Sequence, residues 1–274
     1  AYLFSVKGYL VLYNTLSAVA WSWILVTTII HLFNLDGKSD ALSSQDPFSA
    51  SSVLSRFIVS SIPQSLRPFL LPSSFKNSLP PALQPIFQRT STTFSRVGPQ
   101  TAIIQSFAAF EVLHAILGWV RSPVQTTAMQ VASRLFLVWG VAEQFPEVRS
   151  NPLYTSMVLA WSATEVLRYS FYALNLLAIN PYVLLWLRYT TFYILYPIGA
   201  SSEAFLNYAT LPKSPLVPGW QSFFTGIWTS ADYVRGVLFL IWWPGLYVMY
   251  TYMISQRRKV LNPSSKSKKT VKVN

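Results

Sequence analysis

Residues 154–179 read YTSMVLAWSATEVLRYSFYALNLLAI and residues 182–200 read YVLLWLRYTTFYILYPIGA, with Asn180 and Pro181 alone between them. At about 1.5 Å of rise per residue each stretch crosses most or all of a ~30 Å hydrocarbon layer, so the pair reads as a membrane helix hairpin. Both segments carry groups that such helices rarely tolerate. Glu165, Arg168, Tyr169 and Tyr172 lie in the first, Arg188, Tyr189, Tyr193 and Tyr196 in the second, and Glu203 just past its end. A charge inside hydrocarbon costs on the order of 3 kcal/mol even on lenient insertion scales. It persists where it pairs or does chemistry, and function is therefore to be sought in this hairpin.

The rest of the composition agrees with a membrane reading. Of 274 residues, 52% are hydrophobic, 16% aromatic and only 11% charged, a shortage of charge that places the chain among all-α polytopic membrane proteins. The net charge of +12 would ordinarily raise nucleic acid as a partner, but seven of the 21 Lys and Arg fall between Arg257 and Lys272. That reads as a basic cytosolic tail, 257–274, and no nucleic acid is expected. The absence of cysteine excludes disulfides, thiolate nucleophiles and iron–sulfur clusters. Two histidines, His31 and His114, are too few for the His-rich di-iron sites of membrane oxygenases. No phosphate-binding glycine loop or dinucleotide fingerprint occurs, and neither a metal nor a cofactor is expected.

Six stretches approach spanning length: about 8–33, 102–120, 126–142, 154–179, 182–200 and 234–254. Six crossings put both termini on one side, and the Arg257-Arg258-Lys259 run after the last one marks that side as the cytosol. The first stretch is too long for a signal-peptide core and lacks a small-residue cleavage site, so it is expected to remain as a spanning helix. The chain starts at Ala1 and not at methionine, as expected of a sequence lacking some amino-terminal residues. Residues 34–100 are rich in Ser and Pro and read as one long, irregular, flexible loop inside a single six-helix domain. The aromatic stretch 215–231, interrupted by Pro215, Pro218 and Gly219, suits an interfacial segment.

Two blocks of uncommon residues recur in an order that resembles a known family. One is Trp161, Thr164-Glu165, Arg168-Tyr169 and Tyr172, followed by Leu187-Arg188-Tyr189, Tyr193, Tyr196-Pro197, Gly199 and Glu203; the other is Glu111, His114, Gly118, Arg121, Pro123, Gln130, Ser133-Arg134 and Val138-Trp139-Gly140. Together they are similar to the very-long-chain 3-hydroxyacyl-CoA dehydratases, formerly called protein tyrosine phosphatase-like proteins. The likeness covers roughly 100–204 closely and the outer helices loosely. It implies a six-helix enzyme of the endoplasmic reticulum that removes water from 3-hydroxyacyl-CoA to give trans-2-enoyl-CoA, the third step of fatty-acid elongation. An acyl-CoA substrate, membrane lipid and other elongation-cycle enzymes are the implied partners, and the implied catalytic pair is Tyr196 and Glu203. The 34–100 loop is longer than the family pattern leads one to expect. The lysines of the tail do not meet the usual dilysine retrieval spacing, so residence in the endoplasmic reticulum follows from the resemblance.

The chemistry stands on its own terms. Dehydration needs a base for the α-proton and an acid for the departing hydroxyl, and a carboxylate stripped of water with a nearby phenol supplies both. Pro197 and Gly199 are expected to bend the chain between Tyr196 and Glu203 and bring the two together. By position alone Tyr196 would be an interfacial belt residue and Glu203 a solvated helix end; the resemblance makes them the catalytic pair. Glu165, Arg168, Tyr169, Tyr172, Arg188 and Tyr189 read either as an ion-pair network fixing the hairpin or as an orienting shell with a cationic entrance for the CoA phosphates. Glu111, His114 and Arg134 suggest interhelical hydrogen bonding, and His31 a solvated helix end. With a helix starting at Tyr182, Tyr196 would lie roughly 21 Å deep. A catalytically silent scaffold of the elongation machinery and a transporter are the competing readings, the second lacking any inverted repeat.

Overall fold

The structure, a computed structural model, describes residues 2–39, 80–179, 181–212 and 228–261. Asn180, most of the 34–100 loop, most of the aromatic stretch 215–231 and the tail beyond Leu261 lie outside the described residues. Every regular element among the described residues is helical. In chain order they are α1 (Tyr2–Phe33), α2 (Gln84–Arg89), a 3₁₀ turn (Thr90–Thr92), α3 (Thr93–Ser106), α4 (Ala109–Ile116) and α5 (Val124–Leu135). α5 runs on into a π-helical turn, Phe136–Ala142, and is followed by α6 (Pro146–Arg149), α7 (Pro152–Leu176), α8 (Tyr182–Arg188), α9 (Phe192–Ala209) and α10 (Ser230–Leu261).

α7 is the axis of the bundle. Asn151 caps it, its side chain accepting from the Leu153 N–H at 3.0 Å, and Pro152 occupies the first turn, where its missing N–H costs nothing. α1 lies along one side of α7 and α9 along another. Their inner faces close over Trp21 and Ile24 of α1, Met157, Val158 and Trp161 of α7, and Ala204 and Leu206 of α9, joined by Val97 of α3 and Leu137 and Val141 of the π turn. α10 packs antiparallel to α9: the Asn207 amide donates to the Arg235 carbonyl at 2.8 Å at one end, and the Tyr250 hydroxyl reaches the Tyr193 carbonyl at 3.5 Å at the other. That carbonyl is the one Pro197, four residues on, leaves without its helical donor.

Three helices end in the same way. After α1, α4 and α7 a single residue turns left-handed, Asn34 (φ 53°), Gly118 (φ 69°) and Ala178 (φ 61°), and the next N–H returns five residues to close the turn. Asparagine and glycine take this conformation readily; alanine does so against its Cβ.

Two helices, Ser5–Phe33 of α1 and Ser230–Leu261 of α10, are long and apolar enough to cross a membrane. Both turn large apolar side chains outward, among them Leu12, Leu16, Val19 and Val26 on α1 and Val234, Leu240, Ile241 and Val248 on α10. Three expected spans come out divided. Stretch 102–120 is split by a turn at Phe107 and Ala108, 126–142 changes from α to π, and 182–200 is interrupted at Tyr189–Thr191. At that interruption the Thr191 hydroxyl bonds to the Leu187 carbonyl at 2.9 Å, and the Thr190 N–H turns to the same carbonyl. The carboxyl-terminal part of the expected irregular loop is also helical, as α2, the 3₁₀ turn and the start of α3.

That helical segment corrects the reading of His31. The side chain is fully buried, with Nδ1 3.0 Å from Ser39 Oγ and Nε2 3.0 Å from the Arg89 carbonyl, because residues 84–93 fold back across the end of α1. It is a structural tie and no solvated helix end.

Candidate active site

An ionic lattice occupies the space between α4, α5 and α7. Arg168 grips Glu111 with both terminal nitrogens, Nη1 and Nη2 each at 2.6 Å from a carboxylate oxygen, while its Nε donates to Glu165 Oε2 at 2.6 Å. The second oxygen of Glu165 takes Nη1 of Arg134, and Tyr169 donates its hydroxyl to Glu111. Glu165 is only 2% exposed, a burial that an unpaired carboxylate would not survive. The i,i+3 spacing of Glu165 and Arg168 puts them on one face in the sequence; Glu111, fifty-seven residues before Arg168, makes the interhelical hydrogen bonding expected of it, and so does His114. His114 bonds to the Tyr9 hydroxyl of α1 at 3.0 Å, inside a cage of Tyr9, Tyr13 and Trp119.

Trp161 leads from this lattice to α9. The Arg134 guanidinium lies 5.0 Å from the centre of its ring, and its Nε1 donates to Glu203 Oε1 at 2.6 Å. Gly199, one turn earlier on α9, faces α7 at this point, and a Cβ there would find only ordinary van der Waals contact. A Cβ on Gly199 would meet Ala160 Cβ at 3.4 Å and Trp161 Cδ1 at 3.9 Å. Glu203 itself has no salt bridge among the described residues.

Tyr196 and Glu203 both lie inside α9, which continues through Pro197 and Gly199. The expected fold-back does not occur, and Glu203 is in mid-helix and not beyond its end. Seven residues of α-helix nevertheless return to nearly the same face about 10 Å along the axis. Both side chains are half-buried, and the charges that act on the Tyr196 phenol are those of Glu203 and Arg134. Because α9 begins at Phe192, Tyr196 lies about 6 Å from the start of its helix, at the end where the Arg257 guanidinium of α10 rests 5.5 Å from the Tyr193 ring.

Arg188 stands apart from the carboxylates. It donates to the Tyr172 hydroxyl at 3.1 Å and lies against the rings of Phe171, Tyr172 and Tyr189 at 5.0, 4.7 and 5.9 Å, with no acidic partner among the described residues. Tyr172 is shared by the two groups, Arg168 being 6.0 Å from its ring. The sequence-predicted residues thus fall into three sets: the lattice of Glu165, Arg168 and Tyr169, the α9 pair Tyr196 and Glu203, and the aromatic cradle of Arg188 with Tyr172 and Tyr189. Glu111, Arg134 and Trp161 join the first set to the second.

The family described as "Protein tyrosine phosphatase-like protein, PTPLA" matches residues 105–263. The chain belongs to that family. A fission-yeast (Schizosaccharomyces pombe) relative named "Probable very-long-chain (3R)-3-hydroxyacyl-CoA dehydratase" is 44% identical over 176 residues, covering 64% of this chain and 80% of that protein. A Caenorhabditis elegans relative, named very-long-chain (3R)-3-hydroxyacyl-CoA dehydratase hpo-8, is 35% identical over 272 residues, covering 96% of this chain and 99% of its own. The Arabidopsis thaliana relative PASTICCINO 2, of the same dehydratase name, is 42% identical over 174 residues, 60% of this chain and 76% of that protein. No solved structure matches the chain. The family match includes the lattice, Trp161, Tyr196, Glu203 and Arg257, so the arrangement described above lies within the matched region.

Proposed function

We propose that this chain is a very-long-chain 3-hydroxyacyl-CoA dehydratase, a hydro-lyase of fatty-acid elongation, and that Tyr196 and Glu203 perform the reaction. The observation that carries the assignment of residues is the state of Glu203, a carboxylate on the same face as a phenol and held by an indole N–H where its two neighbours are saturated by guanidinium groups. A carboxylate with no ion pair retains its capacity to take a proton, even with the Arg134 charge acting on it from a distance. Glu203 removes the C2 proton, the electron pair closes the C2–C3 double bond, the C3–O bond breaks, and Tyr196 gives its proton to the departing oxygen so that water leaves. Proton return from Glu203 to Tyr196 through the released water restores both groups. Two hydrogen-bonding reaches of about 3 Å each, together with the two-bond span from C2 to the hydroxyl oxygen, fill most of the ~10 Å between the two positions on α9. A continuous helix therefore suits a substrate clasped between them.

The lattice of Glu111, Arg134, Glu165, Arg168 and Tyr169 orients this pair through Trp161. Six rods, α1, α3 with α4, α5 with its π turn, α7, α9 and α10, cross the membrane of the endoplasmic reticulum with both termini in the cytosol. Arg257, Arg258 and Lys259 at the end of α10 support that orientation. The test is turnover by the detergent-purified chain: trans-2-enoyl-CoA should form from 3-hydroxyacyl-CoA with nothing added, and Tyr196→Phe and Glu203→Gln should each abolish it in protein that remains folded. Wild-type turnover that survives both substitutions would overturn the assignment of residues.

A further inference from the structure

Three polar atoms around the interruption between α8 and α9 are buried without a hydrogen-bond partner: Nη1 of Arg188, Oγ1 of Thr190 and Nε of Arg257. Buried polar atoms are satisfied in the great majority of cases, and three orphans beside one short segment point to an absent ligand. Arg188 is the last residue of α8, Thr190 is in the turn, and Arg257 arrives from α10 against Tyr193, the second residue of α9. Neither arginine has a carboxylate within salt-bridge distance among the described residues, whereas Arg134 and Arg168, on α5 and α7, are both ion-paired. All three orphans can donate, and two of them belong to guanidinium groups. The ligand they ask for is an anion rich in acceptors, and planar guanidinium forks match phosphate above other anions.

We infer that Arg188, Thr190 and Arg257 form a phosphate clamp for the nucleotide end of the acyl-CoA substrate. The phosphate chemistry follows from the three side chains; its attribution to coenzyme A rests on the dehydratase reading. About 10 Å of helix separates Tyr193 from the midpoint between Tyr196 and Glu203, a distance that a flexible pantetheine arm bridges. The clamp lies at the basic end of α10, so the nucleotide stays at the membrane surface while the thioester enters between the helices. The aromatic rings around Arg188 hold its guanidinium in place without neutralising it, which leaves the charge for the ligand.

The experiment uses the full chain in neutral-lipid nanodiscs, with Arg188→Gln, Arg257→Gln, Arg257→Lys and Thr190→Val, each checked for folding by its melting temperature. Free coenzyme A is titrated calorimetrically, and KM is compared for a 3-hydroxyacyl-CoA and the same acyl group on pantetheine. The Gln variants should weaken CoA binding about ten- to a hundredfold and raise the ratio of the two KM values by a similar factor. Arg257→Lys and Thr190→Val should fall between wild type and Gln. Unchanged CoA affinity in both Gln variants, or equal KM losses on the two thioesters, would overturn the clamp. A lipid phosphate is the other source of this chemistry: if added phosphatidylserine raises the melting temperature in an Arg257-dependent way and CoA does not compete, the occupant is a headgroup and the inference falls. Protein that binds CoA through these residues yet forms no enoyl thioester would defeat the dehydratase reading and leave the clamp standing. Turnover with CoA affinity indifferent to both arginines would do the reverse.

Discussion

The lattice on α4, α5 and α7 and the pair on α9 are built from the same residue types and treated in opposite ways. In the lattice each carboxylate oxygen of Glu111 and Glu165 has a charged donor, and Arg168 uses Nε and both terminal nitrogens. On α9 the Glu203 carboxylate has the indoles of Trp161 and Trp242 and no ion pair, and the Tyr196 hydroxyl has no hydrogen bond to another described residue. Saturation fixes a group in one state, which suits a framework. Under-saturation leaves it able to exchange a proton, which suits a reaction. If the proposed roles hold, the difference teaches how charge in an apolar bundle is to be read: pairing marks the scaffold and its absence marks the groups free to react.

The strongest way to break the comparison is to remove one carboxylate from each side. Glu203→Gln should lower kcat by about a thousandfold, the scale of a lost general base, with a melting temperature close to wild type because no ion pair is broken. Glu165→Gln should do the converse. It strips the counter-charge from Arg134 and leaves Arg168 with Glu111 alone, in a site 2% exposed, a loss of about 3 kcal/mol in stability, read as a fall in melting temperature and in detergent resistance. If Glu165→Gln proved as stable as wild type and Glu203→Gln unfolded, the two regions would have to exchange roles.

Much of this division was legible in the sequence, and the part that was not has physical reasons. The shared face of Glu165 and Arg168 follows from spacing along a single helix, which periodicity reports directly. Glu111 could not be matched to Arg168 in this way, because the contact joins two helices and nothing local encodes which faces meet. The interruption at Tyr189–Thr191 carries no glycine or proline, and only the paired threonines hint that side-chain hydroxyls compete there for backbone carbonyls. Pro197 and Gly199 misled in the opposite direction. The proline is tolerated because Tyr250 approaches the carbonyl it frees, and the helix runs on through the glycine, which faces Ala160 and Trp161 at ordinary contact distance. His31 was misjudged because its cover comes from residues 84–93, far along the chain.

Trp161 is the joint between the two regions, and Trp161→Phe sharpens the comparison with a smaller effect. Phenylalanine keeps a ring beneath Arg134 and removes the Trp161 N–H from Glu203, leaving the Trp242 indole beside it. A positioning role predicts kcat lower by about tenfold, the worth of one hydrogen bond to a charged group, with KM for the acyl-CoA near wild type. A purely structural role predicts a lower melting temperature and kcat and KM that change together.

The smallest effect comes from Ala178, on the framework side of the comparison and away from the chemistry. It closes α7 in the left-handed conformation, with Ala178 N–H to the Asn175 carbonyl at 3.0 Å and Ile179 N–H to the Leu174 carbonyl at 2.9 Å. Alanine adopts this conformation at a cost of about 1–2 kcal/mol, which glycine avoids, while glycine gives back part of the gain through a more flexible unfolded chain. Ala178→Gly should therefore raise stability by about 0.5–1 kcal/mol. Because the end of α7 carries the Tyr172 ring against which Arg188 rests, the substitution also asks whether a firmer α7 terminus alters the site. If the framework and the reacting groups are as separate as their hydrogen bonding implies, the melting temperature rises and kcat/KM does not move; a parallel change in kcat/KM would show that the strained turn is part of the machinery.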